Sequence, residues 1–272
     1  NDIETKKDLK DWKEGGEQWE KWKEKWQPAN RGMLKAKAKQ DQKKDTPCNT
    51  SPDSSYRGTE NQLYRIEVHN GSGDSSTGNT PATFKWARDN GSVVAGIKLS
   101  GNELTVDNPR GFSVGQWVEL TNDKQELRGI AGSLWKIKKI DGDIFTLDVS
   151  SAINKPIDVL PQEKWPTKAR RWDSTEITIV ENKDEKWITL ADGIQIQFQP
   201  SISEINRYRT GDYWLIPVRV ASRDVGWPFE KGDALPPHGV EHHYAPLAII
   251  NQSEANPIRH LRREFESQAK IV

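Results

Sequence analysis

Residues 238 to 246, HGVEHHYAP, place His238, His242 and His243 beside Glu241, and so hold three of the chain's five histidines. Imidazole and carboxylate groups gathered like this are the donors a divalent metal takes, zinc wanting three or four converging N, S or O ligands. On a helix, His238 and His242 would share a face. Pro236, Pro237, Gly239 and Pro246 instead predict an extended loop, and the order differs from the His-Glu-x-x-His zinc signature. The plainer reading is a structural loop whose imidazoles bond backbone or carboxylates. No cofactor is expected, with a divalent metal at the His238/His242/His243 loop as the alternative.

Carboxylates are the second chemical resource. Asp173, Asp192, Asp212 and Asp224 are of the type that supplies an acid and a base at glycosidase separations. Each sits beside a turn glycine or a tryptophan, which favours turn and capping roles. Trp214 and Trp227 could serve as sugar platforms, with Asp212 and Asp224 as polar partners. There is no Gly-x-Ser-x-Gly elbow, no phosphate-cradling glycine loop and no nucleophilic setting around Cys48, so no catalytic residue is assigned and the chain leans away from being an enzyme. In YRIEVHN, residues 64 to 70, Arg65, Glu67 and His69 alternate with Tyr64, Ile66 and Val68, predicting a charged row on one face of a half-buried strand. FKWARDNGSVV, residues 84 to 94, sets Lys85, Arg88 and Asp89 around Trp86 ahead of Asn90-Gly91, a strong hairpin signal that predicts an exposed Arg88–Asp89 pair.

Composition bounds what these residues serve. Lysine plus arginine and aspartate plus glutamate each number 40 in 272 residues, so no overall field attracts nucleic acid or an anionic membrane. Cys48 is the sole cysteine, which excludes an internal disulfide. No apolar run approaches the roughly 20 residues of a membrane-crossing helix. The apolar fraction is only 33% although tryptophan occurs 12 times, which suits small domains built from short sheets. With no initiating methionine, the chain is expected to be a piece of a longer one.

The elements that must position these groups follow from periodicity. Residues 1 to 27 carry Trp12, Trp19, Trp22 and Trp26 on one helical stripe, broken at Gly15-Gly16 and ended by Pro28. The stripe is read as docking on its own domain or on a neighbouring subunit, against the alternative of an aromatic ligand platform. MLKAKAK, from Met33, predicts an edge strand blunted by lysines. From Tyr56 the period is two, with strands expected at 62–69, 82–88, 92–99, 103–106, 116–120, 133–140, 143–149, 175–180, 187–190, 193–199, 212–220 and 244–250. The fold class is therefore mostly β: two or three small sandwich or barrel modules, a helical N-terminal arm and a short C-terminal helix. The expected boundaries are an arm over 1–55, a β module over 56–150 with a small barrel at 112–149, a proline-rich bridge over 151–169, a second β module over 170–252, and a tail over 253–272 that is helical from Ile258.

Taken in order, YRGTENQLYRIEVHN, ATFKWARDNGSVV, GFSVGQWVELTNDKQELRGIAGSL, RRWD, RTGDYWLIPVR and LPPHGVEHHYAPLAII resemble the bacterial family called domain of unknown function 6519. The blocks span residues 56 to 250, with RGMLKAKA and HLRREF extending the likeness. That family is associated with gene clusters of phage-tail-like contractile injection systems. The resemblance implies a structural or adhesive accessory part of such a particle, at its baseplate, spike or fibre. Alternatives are a carbohydrate-binding module or glycan-active hydrolase, and a translocated effector. The implied partners are other particle subunits in an oligomeric assembly and a surface glycan, with no nucleic acid and no membrane span. The implied location is the bacterial cytoplasm at assembly and the exterior after release. The family defines no catalytic residue to carry over.

Overall fold

The computed structural model describes residues 16–27, 30–39, 55–72, 81–154, 166–182, 186–201, 205–227, 233–241, 243–250 and 258–262. The chain divides into two compact units, one made of residues 30–239 and the other of residues 1–29 with 240–272.

In the larger unit, alternation of apolar and polar residues produces strands at nearly every expected place. These are β1 (Met33–Ala38), β2 (Gln62–Val68), β3 (Thr83–Ala87), β4 (Val94–Ser100), β5 (Glu103–Val106) and β6 (Trp117–Thr121). They continue with β7 (Ser133–Asp141), β8 (Ile144–Ile153), β9 (Lys168–Trp172), β10 (Ile177–Thr178), β11 (Ile188–Thr189), β12 (Ile194–Gln199), β13 (Tyr213–Arg219) and β14 (Asp224–Val225). A short helix, α2 (Asp123–Leu127), follows β6.

The strands make three sheets. β1, β12 and β11 form one, with β1 at the edge as its lysines predicted. β10, β3, β2, β13 and β14 form a second. The third closes into a barrel in the order β4-β5-β8-β7-β6-β9. Closure abolishes free edges, and Leu104, Val118, Leu120, Phe145, Leu147 and Ala169 fill the interior. The first two sheets pack face to face as a sandwich. Phe198 of β12 meets Trp214 of β13 edge-on at 5.7 Å and Phe84 of β3 at 5.1 Å.

Several expectations change. The barrel is larger than residues 112–149, because those strands leave two edges that β4, β5 and β9 close. The boundary near 151–169 is crossed, since β13 pairs with β2 and β9 enters the barrel beside β6. Met33–Ala38 belongs to the body rather than to an arm, with Leu34, Ala36 and Ala38 buried. Asn90 and Gly91 do take φ of 60° and 59°, the geometry of a tight turn. Their flanking strands nevertheless diverge, β3 into the sandwich and β4 into the barrel, so the turn passes the chain between layers rather than making a hairpin.

The smaller unit holds α1 (Glu17–Trp26), β15 (Ala248–Ile250) and β16 (Ile258–His260), the two strands pairing antiparallel. α1 starts directly after Gly16, where the sequence broke the stripe. The C-terminal helix expected from Ile258 starts instead as β16, whose Arg259 pairs with the buried Ile249. Residues 263–272 lie outside the described residues. No helix among the described residues is long and apolar enough to cross a membrane.

Candidate functional site

β2 has two faces with two fates. Tyr64, Ile66 and Val68 enter the sandwich core, while Arg65, Glu67 and His69 face the barrel. The Arg65 Nε donates to Glu67 Oε2 over 2.6 Å, and its guanidinium lies 3.6 Å from the centre of the Tyr213 ring. The row is thus the charged side of a half-buried strand, and its last member is fully buried: His69 is 0% exposed.

Around His69 the two layers exchange charge. Lys85 of β3 donates to Glu119 Oε1 of β6 over 2.6 Å, with Glu67 Oε1 3.2 Å from its Nζ. Glu119 also accepts from the Gly132 amide at 3.1 Å and, through Oε2, from the Trp172 indole N–H at 3.0 Å. The Lys85 ammonium stands 4.6 Å from the Trp172 ring centre. The imidazole of His69 has Lys85 Nζ 3.3 Å from Nδ1 and Asn154 Nδ2 3.2 Å from Nε2. Burial by itself pushes the Glu119 carboxyl up, but the Lys85 ammonium, with His69 beside it, holds it well below the usual carboxylate range. The result is an ionised, saturated cluster: its donors and acceptors are spent on one another.

A second group lies where the Asn90-Gly91 turn leaves β3. The Arg88 amide donates to Asp173 Oδ2 at 2.8 Å, and the Arg88 guanidinium sits 3.5 Å from Asp173 Oδ2 and 3.4 Å from Asp192 Oδ2. Tyr64 donates its hydroxyl to Asp192 at 3.0 Å, and burial, then the Asp192 charge, push the phenol well up. Asp89, expected to pair with Arg88, takes Arg171 instead. Two of the four candidate carboxylates therefore meet around one arginine, as partners in an ion network.

The proposed sugar residues are mostly inside. Trp214 is 1% exposed and donates its indole N–H to the Leu235 carbonyl at 2.9 Å, because alternation along β13 turns it into the core. Asp212 is 2% exposed and accepts from Arg31 Nε at 2.8 Å, with a second bond to the same guanidinium. Neither presents a platform or a polar partner at the surface, which corrects that expectation. Trp227 is half-buried against the sandwich core and donates to the Asp233 carbonyl at 2.8 Å. Asp224 pairs with Arg219 across β13 and β14 and accepts from the Val225 amide.

The histidine loop is extended, as its prolines required. His238 exchanges two backbone hydrogen bonds with Tyr213, and Leu235 two with Leu34, so residues 235 to 238 strap both sheets of the sandwich together. The His238 ring is exposed and lies 5.5 Å from that of Tyr213, centre to centre. His243 is exposed, and His242 lies outside the described residues. Among the described residues no three histidine, cysteine, aspartate or glutamate side chains gather as metal ligands.

Of the four stripe tryptophans, Trp19 is buried and stacks on Trp22 at 5.0 Å, and Trp22 meets Tyr244 edge-on at 5.2 Å. Trp12 and the Trp26 side chain lie outside the described residues. Sequence reasoning missed Glu119 and Asn154. The signal for Glu119 was its place in WVELT, a lone charge among large apolar residues, like Lys85 in TFKWA. For Asn154 there was none.

No curated protein and no solved structure matches the chain. A family model matches residues 28–257, covering the sandwich, the barrel and the strap together, and the chain belongs to the family of unknown function DUF6519.

Proposed function

We propose that the protein is a structural or adhesive accessory component of a phage-tail-like contractile injection particle, holding neighbours at the baseplate, spike or fibre rather than turning over a substrate. The observation that carries this reading is the fate of the reactive side chains. Lys85, Glu119, His69 and Asp212 are all buried and bonded across layers. A general acid or base needs reach to a reacting group, and these groups reach each other. The same bonds make a stiff body, which suits a part that transmits force.

The surface supports attachment as well. α2 is fixed by a reciprocal Asn122–Gln125 capping box and by Lys168, whose Nζ lies 2.7 Å from Asp123 and 2.6 Å from Glu126. This pinned turn holds Leu127 81% exposed, with Ile130 at 50% just beyond. Large aliphatic groups displayed on a rigid turn are suited to docking in a partner's pocket.

The test is sedimentation of particles from cells that make the tagged chain. The chain should travel with sheath and tube proteins at a fixed ratio, and Leu127→Lys should lower its share without altering its melting. Recovery wholly outside the particle, or only within the tube lumen as cargo, would overturn the reading.

A further inference from the structure

Each ring nitrogen of the buried His69 has two rival partners. At Nδ1 the Lys85 ammonium stands 3.3 Å away and Glu119 Oε1 3.5 Å away. At Nε2 the Asn154 amide nitrogen stands 3.2 Å away and Glu176 Oε2 4.0 Å away. The nearer partner is a donor on both sides. An ammonium has no lone pair to offer. Asn154 Nδ2 also donates to the Gly132 carbonyl oxygen over 3.1 Å, and since that oxygen only accepts, the corner of the amide facing His69 is nitrogen.

A neutral imidazole carries one N–H and one lone pair, whereas the protonated ring carries an N–H at both nitrogens. The lone pair suits Asn154 at Nε2, with the proton on Nδ1 turned to Glu119, because the Lys85 ammonium already has Glu119 at 2.6 Å and Glu67 at 3.2 Å. A second proton has no place at Nε2 while Asn154 stays, since two N–H groups would then face each other. Its acceptor is Glu176, which takes bonds from the Asn70 amide and the Thr83 hydroxyl. The Glu176 side chain is 27% exposed, so it links the sealed ring to solvent. Among the described residues, the charged groups around the ring are Arg65 and Glu67 of β2, Lys85 of β3, Glu119 of β6 and Glu176 ahead of β10. Three carboxylates against two cations leave room for one more positive charge.

We propose that His69 is a proton-operated latch between the sandwich and the barrel. Neutral, it holds Asn154 and so ties the end of β8 to β2. Protonated, it exchanges Asn154 for Glu176 and lets that end go. Imidazole is the type of side chain that ordinarily changes charge between about pH 5 and 8, and protonation of histidines is one way in which packed interfaces are switched. The latch does not depend on the function proposed above, because it is read on the isolated chain.

The experiment is nitrogen-15 magnetic resonance of the histidine rings in the full chain, titrated from about pH 8 to about pH 5, with His69 assigned through its backbone neighbours Val68 and Asn70. At the alkaline end His69 should carry its proton on Nδ1. On acidification it should gain the second proton, and the Asn154 side-chain amide signals should move with the same midpoint. Glu176→Gln removes the carboxylate that receives the charged ring and should lower the proton affinity of His69 about tenfold. Asn154→Asp sets an acceptor where a donor stood and should raise it by a similar factor. A ring that stays neutral throughout, a proton on Nε2 at the alkaline end, an Asn154 amide that ignores the titration, or a midpoint unmoved by both variants would overturn the proposal.

Discussion

Lys85 of β3 and Glu119 of β6 form an ion pair of 2.6 Å with side chains only 3% and 6% exposed, joining the sandwich to the barrel. The pair owes its stability to completeness. Each partner removed alone leaves the other's buried charge without its nearest counter-charge, and such losses cost about 3–5 kcal/mol. Lys85→Met should destabilise the larger unit by that amount in urea. Lys85→Met combined with Glu119→Leu should recover part of it, and additive losses would refute a coupled pair.

Acid should act on the same bond. The Glu119 carboxyl is depressed in the folded state, so its contribution is fully present above its ordinary value of about 4.5 and is lost as pH falls toward the folded value. Below about 4.5, wild-type stability should fall more steeply with acidification than that of Glu119→Gln. Parallel slopes in urea titrations across that range would count against an ionised Glu119.

Gly132 packs where no side chain fits. A Cβ there would lie 2.6 Å from Glu119 Cγ and 2.8 Å from the Leu120 carbonyl oxygen, and the backbone oxygen cannot move aside cheaply. Gly132→Ala should cost about 1–3 kcal/mol. An unchanged melting temperature would mean that the bend after α2 is looser than described.

Trp214 should behave as core. Trp214→Ala should lower stability by about 3–5 kcal/mol, while Trp227→Ala, whose ring is only half-buried, should cost less. Denaturation of the two variants side by side measures this, and equal small losses would return Trp214 to the surface.

Trp22 links two sequence-distant parts of the smaller unit by touching Trp19 and Tyr244. Aromatic pairs contribute about 0.5–1.5 kcal/mol beyond burial. Trp22→Ala should therefore reduce near-ultraviolet dichroism and particle incorporation while the larger unit still unfolds cooperatively. Full incorporation would remove the stripe from the attachment surface.

The sequence by itself determined the local structure, because periodicity and turn chemistry act between neighbours. Alternation marked nearly all the strands, the lysines of Met33–Ala38 marked an edge, and the prolines around His238 ruled out a helix. Tertiary structure decided how strands separated by long stretches of chain are paired. β9 closes the barrel from beyond the bridge, and β13 lies against β2. That pairing put Trp214 and Asp212 inside and brought Lys85 to Glu119, 34 positions along the chain. A charge and an indole have the same local propensities on a wet face as on a dry one. Which face is dry is set by the layer that covers it, and that layer is supplied from elsewhere in the chain.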